Sequence, residues 1–420
     1  MKRFQITIAG LMAAAVVGSV HPAFPEGAAT PAPAASSAAP TPEPSPVPAA
    51  SPEPGANAEP APAAAAKPAA VEVPAPTPTP DWKVGGDVRV RYEGTTKQQP
   101  TSLPQVMDAR HREVLRFRVG ATKSLGKSLS FGVRMTTGDA DDPNSTDVTI
   151  SDFADELQVS LDRVYLELKR GGLAATGGKF ANPFLTTELV WDGDVHPQGV
   201  AASFGAGSGT VKPKVVGIFY LVDEQTTSPD SFMVGGQAQV AVRPSSDWSV
   251  TFGGAYYNYA IKSLRNADAG DTRTNRLAPG GLAYLSDYDL LDGVVTIDHK
   301  GFGPRYPVKL VADYVRNLGA DDQNTGYGFD VFVGRASEKG DLRFRYGYSQ
   351  AETDAVLAAF SHDNTTFATN YRQHTGTVDW QIRRDLQLNA TWYTFRRLES
   401  PTAGSNPWIN RLRLNALVTF

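Results

Sequence analysis

The final ten residues, Arg411-Leu-Arg-Leu-Asn-Ala-Leu-Val-Thr-Phe420, alternate between polar and apolar side chains almost without a break. Successive side chains of a β-strand point to opposite faces of a sheet, so this period of two predicts a strand with one apolar and one polar face. The same alternation recurs in residues 82–93, 110–122, 129–136, 342–349 and 386–392. The chain from residue 81 onward is therefore predicted to be all-β.

The connections between these segments alternate in length. Short turns are expected near residues 124–127, 171–172, 244–247, 301–304, 338–341 and 383–385, and long polar connections at 95–108, 139–156, 181–198, 264–287, 318–325, 352–366 and 399–407. Outer-membrane barrels have short periplasmic turns, long outer loops and an even strand count. One strand together with its connection takes about 21 residues. The length of residues 81–420 therefore predicts a transmembrane antiparallel β-barrel of about 16 strands. A soluble sandwich is too small for this length, and a propeller would show a repeat that the sequence lacks.

The first 80 residues have a different composition. Lys2 and Arg3 precede an apolar run over residues 6–20, too short to span a bilayer, so residues 1–23 are predicted to be a signal peptide with an uncertain cleavage site. Residues 24–80 are mainly Pro, Ala, Ser, Thr and Glu, which bury too little apolar surface to fold. We expect a disordered Pro/Ala-rich periplasmic linker, either an inert spacer or a tether that contacts the cell wall.

Composition also excludes several kinds of site. The chain has no cysteine, which rules out disulfides and thiolate metal ligands, and no metal or cofactor is expected. A formal net charge of -4 does not favour binding to nucleic acid. The six histidines lie in no catalytic motif, so the protein is not expected to be an enzyme, although His111 and His196 could meet in the outer loops.

Arginines recur on the polar face of strands near both ends of the barrel sequence. They are Arg89, Arg91, Arg116, Arg118, Arg134, Arg343, Arg345, Arg411 and Arg413. Barrel closure places the last strand beside the first, so these guanidiniums are predicted to form a basic wall lining a pore. The alternative is that Asp87, Glu93 and the loops neutralise them.

Two long connections carry acidic residues that could face this wall. One contains Asp139, Asp141, Asp142, Asp147, Asp152, Asp155 and Glu156, and the other contains Glu188, Asp192 and Asp194. An acidic loop folded inward would form a constriction that selects solutes by size and charge. Carboxylates of the first loop could instead hold calcium, but their spacing matches no EF-hand.

Three segments in the middle of the chain carry a family pattern. They read Arg163-Val-Tyr-Leu-Glu-Leu168, Gly177-Gly-Lys-Phe-Ala-Asn-Pro-Phe184 and Val190-Trp-Asp-Gly-Asp-Val-His-Pro-Gln-Gly199. This pattern, and more loosely residues 346–357, resembles the putative porin family of Gram-negative outer membranes. The resemblance implies a general-porin-like barrel of sixteen strands, a homotrimer, and an inward constriction loop after Phe180. The residues of that loop would be Pro183, Phe184, Glu188, Trp191, Asp192 and Asp194.

The chain end and the aromatic residues also suit an outer-membrane location. The terminal Phe420, with apolar residues at alternate positions before it, resembles the signal read by the barrel-assembly machinery. Aromatic rings are expected where strands meet the lipid interfaces. Candidates are Trp82 and Trp248 on the periplasmic side and Tyr92, Tyr256 and Tyr348 on the outer side.

These features predict a diffusion channel in the outer membrane, in contact with its lipid. Small hydrophilic solutes or ions would pass through a water-filled pore with a preference for anions. Two alternatives remain open at this point. The barrel could be a structural anchor tethered to the cell wall through the linker, or an outer-membrane barrel enzyme.

Overall fold

The computed structural model describes most of the chain beyond the linker. The described residues are 82–96, 109–142, 144–152, 154, 156–207, 209–267, 269–400 and 406–420. The predicted signal peptide and linker lie outside the described residues. No helix in the described ranges is long and apolar enough to cross a membrane.

The described residues form seventeen strands and one short helix. The strands are β1 (Trp82–Thr95), β2 (Arg110–Leu125), β3 (Leu129–Thr137), β4 (Val148–Thr149), β5 (Val159–Arg170), β6 (Leu173–Lys179), β7 (Gln198–Gly205), β8 (Val211–Asp223), β9 (Ser231–Val242), β10 (Trp248–Ala260), β11 (Tyr288–His299), β12 (Val308–Asn317), β13 (Thr325–Gly334), β14 (Leu342–Ala351), β15 (Tyr371–Arg383), β16 (Leu386–Arg397) and β17 (Ile409–Thr419). The helix, α1 (Ala269–Thr272), lies between β10 and β11.

The strands close into one antiparallel barrel. Each long strand pairs with its neighbours in sequence, and β17 pairs with β1 from Asp87↔Thr419 to Thr95↔Arg411. The two-residue β4 pairs with β2 beyond the end of β3 and does not cross the wall by itself. Sixteen strands therefore form the wall, which confirms the predicted fold. Closure leaves no unpaired strand edge, as a sheet surrounded by lipid requires.

The alternation of side chains divides the wall into two faces. Val84, Val200 and Phe219 point outward and are exposed, as expected for side chains in lipid. Asp87 and Arg116 point inward and are buried. The long connections lie at one end of the barrel and the short turns at the other, in the predicted pattern.

Two connections occur that the sequence pattern did not reveal, residues 206–210 and 224–230. They join β7 to β8 and β8 to β9. In this part of the wall the inward positions Val216 and Ile218 are as apolar as the outward positions Val215 and Phe219. Alternation is therefore lost, and with it the signal that separates strand from connection.

The hydrophobic core lies inside the barrel. Two outer connections fold inward, and we name residues 180–197 loop A and residues 352–370 loop B. Their apolar side chains pack on the inward faces of β8 to β11 and β15 to β17. The lumen is thus filled on one side by protein, and the free space lies toward the arginine-bearing strands.

Candidate functional site

A glycine near the end of β6, two residues before loop A, cannot be replaced by another residue without strain. Gly178 has a φ of +118°, and a Cβ at this position would lie 2.3 Å from the carbonyl oxygen of Val164. Only glycine adopts such a backbone without strain. The Gly-Gly of the family pattern therefore lets the chain pass close to β5 just before β6 ends at Lys179 and loop A enters the lumen.

A single glutamine on β9 fixes the first turn of loop A. The backbone N–H of Leu185 donates to Oε1 of Gln237 at 2.7 Å, and Nε2 of Gln237 donates to the Leu185 carbonyl at 2.7 Å. The ring of Phe184 packs against Tyr257 with centroids 5.3 Å apart. Both contacts are with the barrel wall, so Phe184 anchors the loop.

Loop B meets loop A inside the lumen. Trp191 of loop A stacks on Phe360 of loop B with centroids 5.5 Å apart. The backbone N–H of Asp192 donates to the Phe360 carbonyl at 2.7 Å, and that of His362 donates to the Glu188 carbonyl at 3.1 Å. The two loops therefore form one joint constriction.

The inward path of loop B corrects the sequence analysis, which treated residues 352–366 as an ordinary polar connection. The signal was present in Ala355-Val-Leu-Ala-Ala-Phe360, an apolar run with no place in a solvated loop. In the structure all six residues are buried. The hydrophobic effect drives this run onto the apolar inner wall.

Polar groups hold the start of loop B in place. Asp354 is completely buried and accepts hydrogen bonds from Arg276 Nε at 2.7 Å, Ser286 Oγ at 2.8 Å and Tyr288 Oη at 3.2 Å. Asn275 donates to the carbonyl of Val356 and accepts from the N–H of Ala358. A buried carboxylate is stable only when it is paired in this way.

The nine predicted arginines all point inward, and each lies within ion-pair distance of a carboxylate. Arg89 and Arg91 share Asp147 of the acidic loop, residues 138–158. Arg116 and Arg118 share Asp87 at 2.8 Å. The remaining pairs are Arg134–Asp162, Arg343–Asp379, Arg345–Asp330, Arg411–Glu93 and Arg413–Glu93.

Pairing does not cancel the positive charge of the wall formed by β17, β1 and β2. Seven arginines meet four carboxylates there: Arg89, Arg91, Arg112, Arg116, Arg118, Arg411 and Arg413 against Asp87, Glu93, Asp147 and Asp194. Although burial alone would raise it, Arg91 and Arg89 lower the pKa of Asp147 to about 2. Asp147 thus stays ionised at neutral pH. With seven arginines and four carboxylates, the wall has a formal excess of three positive charges.

The facing loops carry the acidic groups, with one difference from expectation. Asp194 extends to Arg118 at 3.1 Å, but Asp192, which the sequence analysis placed among the residues that could face the basic wall, is only 5% exposed. Its Oδ1 accepts the N–H of Asp194 at 2.7 Å, which turns the carboxyl back onto its own loop. Burial and the nearby Glu188 raise the pKa of Asp192 well above its usual value.

Glu188 lines a small cavity between the two inward loops and the barrel wall. The cavity, of about 140 Å³, is bounded by Glu188 of loop A, Asn364 of loop B and the wall residues Arg345 and Tyr393. The Glu188 carboxyl is open to this space, yet protein surrounds it deep inside the barrel. That desolvation, together with Asp363, raises its pKa to about 7. An acidic side chain therefore faces a basic one across the free space.

Lowering the pH through about 7 is expected to shift ion selectivity toward anions. Glu188 loses its charge below its raised pKa, whereas an ordinary glutamate stays ionised down to about pH 4.3. The reversal potential in a potassium chloride gradient, measured between about pH 8 and about pH 5.5, should move toward the chloride potential. Glu188→Gln should lose most of this shift, whereas Glu338→Gln in a periplasmic turn should keep it. A wild-type reversal potential that does not change with pH would refute this assignment.

The histidines do not assemble into a catalytic group in the part of the chain that is described. His111 faces outward on β2 and bonds the Tyr92 hydroxyl at 2.7 Å, whereas His196 is buried in loop A. The idea that these two histidines meet was wrong, because alternation places His111 on the lipid side. Within the described ranges, no group of three His, Asp or Glu side chains is arranged to hold a metal.

A closed barrel with an apolar outer wall and inward loops defines an outer-membrane channel protein. Residues 93–277 match the profile of a family described as putative porin. The resemblance to that family is thereby confirmed; the segment 346–357 lies beyond the matched range. No curated protein matches the chain.

The chain is similar to solved outer-membrane proteins. OprB of Pseudomonas putida, in its high-pH structure, has a TM-score of 0.53 at 13% identity, covering 81% of this chain and 94% of OprB. The anion-selective porin from Comamonas acidovorans has a TM-score of 0.48 at 12% identity, covering 81% and 99%. The outer-membrane channel DcaP of Acinetobacter baumannii has a TM-score of 0.47 at 14% identity, covering 81% and 97%.

Proposed function

We propose that the protein is a porin through which small hydrophilic solutes and ions diffuse passively, with a preference for anions. The observation that carries the proposal is the unbalanced charge of the wall formed by β17, β1 and β2. Seven arginines meet four carboxylates on one wall, and loops A and B narrow the space beside it. In a narrow pore with low-dielectric walls, such an excess raises the local concentration of anions.

Planar-bilayer recording of the purified full chain tests this proposal. We expect discrete conductance steps and a reversal potential displaced toward chloride in a potassium chloride gradient. A silent bilayer, with the protein shown to be a folded barrel by its heat-dependent gel mobility, would refute the channel proposal and favour a structural anchor. Steps with a reversal potential displaced toward potassium would refute the anion preference alone.

We further propose that the barrel assembles as a homotrimer through the wall around β6 and β7. These strands have 7 and 8 residues, whereas a tilted spanning strand needs about 9–11. The wall is therefore too low there to match the bilayer without cover. Beside it lies an apolar outer recess of about 590 Å³, lined by residues that include Leu168, Gly217 and Phe219.

A bulky side chain in this recess is expected to dissociate the oligomer. Gly217 faces outward, and a Cβ there meets nothing closer than 4.0 Å, so Gly217→Trp should leave the barrel intact while blocking close contact between copies. Gly254→Trp on β10 is the matched control, because that Cβ also has open space. Native gels and light scattering in detergent should show smaller particles for Gly217→Trp only. Equal particle size for both variants would argue against this interface.

A further inference from the structure

A second cluster of cations lies under loop A, toward the periplasmic end of the barrel. The cluster contains five cations and three carboxylates. The cations are Arg116, Arg118, Arg134, Arg163 and Lys179, and the carboxylates are Asp87, Asp162 and Asp194. Asp87 already contacts two arginines, and Asp162 pairs with Arg134. The cluster therefore has five positive and three negative charges, a net excess of two positive charges.

Two cations of the cluster, Arg163 and Lys179, form no ion pair with a carboxylate among the described residues. The ammonium group of Lys179 donates to the His196 carbonyl at 3.2 Å, and of the two only Arg163 carries a guanidinium. Among the described residues, no carboxylate oxygen lies within 4.0 Å of its guanidinium; its Nε donates to Nε2 of His196 at 3.0 Å. Arg163 is half-buried. Partial removal of a charge from water costs free energy, so such a guanidinium is stabilised by an anion or by several hydrogen bonds. The Nη side of Arg163 is thus available to an anionic partner from outside the chain.

His196 orients this guanidinium without neutralising it. Nη2 of Arg134 lies 2.6 Å and Nε of Arg163 lies 3.0 Å from the same nitrogen, Nε2. Guanidinium nitrogens only donate, so Nε2 must carry a lone pair and the ring must be neutral, with its proton on Nδ1. Asp162 is farther from Nε2, at 3.5 Å. Burial and the two arginines favour the neutral ring, so His196 adds no charge of either sign.

A cavity adjoins Arg163 and has room for a ligand. Its volume is about 440 Å³, and its lining includes Lys83, Arg118, Thr122, Arg134, Arg163 and Tyr165, together with one carboxylate, Asp87, which is paired with Arg116 and Arg118. Inward-facing glycines make room for two side chains that line the cavity: a Cβ on Gly120 would lie 3.3 Å from Cγ of Arg134, and one on Gly132 would lie 2.3 Å from Cζ of Tyr165. The long side chains of the neighbouring strands lie over these glycines and leave the centre open.

We propose that this cavity, which we name the Arg163 cradle, binds small solutes through a carboxylate or phosphate group. A guanidinium presents two parallel N–H donors whose spacing matches two oxygens of an oxyanion. A spherical halide has no such pair of acceptor atoms and cannot accept both hydrogen bonds in this geometry. Arg118 and Lys83 add charge, and the hydroxyls of Thr122 and Tyr165 can donate to further oxygens. The cradle would retain oxyanions briefly after they pass the constriction.

This inference deepens the proposed anion preference, but its test does not depend on conduction. Isothermal titration of the full chain in detergent at low salt uses inorganic phosphate and acetate in separate arms, with chloride as the reference anion. We expect phosphate, acetate or both to bind more tightly than chloride. The arm with the tighter binding identifies which of the two groups the cradle prefers.

Matched variants locate the binding. Arg163→Gln should weaken oxyanion binding about tenfold or more. Arg163→Lys keeps the charge but loses the paired donors, so its affinity for oxyanions should lie between the affinities of Arg163→Gln and the wild type. Arg305→Gln removes one exposed charge from a periplasmic turn and should bind as the wild type does. Heat-dependent gel mobility checks that every variant is folded.

Two results would overturn the inference. One is wild-type protein that binds neither oxyanion more tightly than chloride, and the other is equal binding by folded Arg163→Gln and Arg305→Gln. If the protein binds oxyanions but does not conduct, the Arg163 cradle is supported and only the proposed porin function is refuted.

Discussion

Deleting residues 355–367 of loop B and joining the ends with a Gly-Ser linker should raise the single-channel conductance about twofold or more. The deleted residues fill the lumen with buried apolar side chains, among them Val356, Phe360 and Phe367. The wall strands need no contact with loop B to pair with one another, since each is hydrogen-bonded to two neighbouring strands. Planar-bilayer recording of the folded variant gives the measurement.

A pair of point variants tests whether the conductance depends on loop B being held in its position, with the loop itself still present. Asp354 and Asp322 both pair with Arg276 at 2.7 Å, but Asp354 is completely buried in loop B whereas the Asp322 side chain is 69% exposed. Asp354→Asn should release the start of loop B and give noisy openings with larger conductance levels. Asp322→Asn should conduct as the wild type does, because exposed ion pairs contribute little. Equal conductance for the deletion variant and the wild type would show that loop B does not obstruct the pore.

Neutralising Arg116, Arg118 and Arg411 together to glutamine should abolish the preference for anions. The basic wall would lose its excess of three positive charges, while Asp87, Glu93, Asp147 and Asp194 would remain. Field strength in a narrow lumen follows local charge rather than the charge of the whole protein. The reversal potential in a potassium chloride gradient should lose its displacement toward the chloride side.

The control for this prediction removes the same charge elsewhere. Arg243, Arg305 and Arg384 are exposed at the periplasmic turns, so the triple glutamine variant at these positions leaves the lumen unchanged. We expect wild-type selectivity from it. If both triple variants shifted the reversal potential equally, surface charge and not the basic wall would set the selectivity.

The fold could be predicted because the bilayer imposes a simple rule on each strand. The lipid-facing side of β17 can be recognised from the apolar Leu412 and Leu414 on either side of Arg413. The same rule applies wherever the inner face of a strand lines water. It failed for residues 206–210 and 224–230, where the strands face the apolar side of loop A. An inner face that packs against protein no longer has to be polar, so the pattern carries less information there.

The site was only partly accessible to sequence reasoning. The inward arginines follow from alternation alone, but their carboxylate partners come from loops such as the one that carries Asp147. Loop paths depend on contacts between distant residues, for example Trp191 with Phe360 and Asn364 with Arg413. The burial of Asp192 and the unpaired state of Arg163 arise from the same contacts and could not be read from local sequence.

Single-cysteine labelling tests most directly whether alternate residues line a water-filled lumen. The native chain contains no cysteine, so Arg118→Cys and Val119→Cys each offer one thiol on adjacent residues of β2. In lipid vesicles, a charged membrane-impermeant thiol reagent should modify position 118, next to the Arg163 cradle, and leave position 119 unmodified. Rapid labelling at 119, or no labelling at 118 in the folded barrel, would contradict the existence of a water-filled lumen with a basic wall.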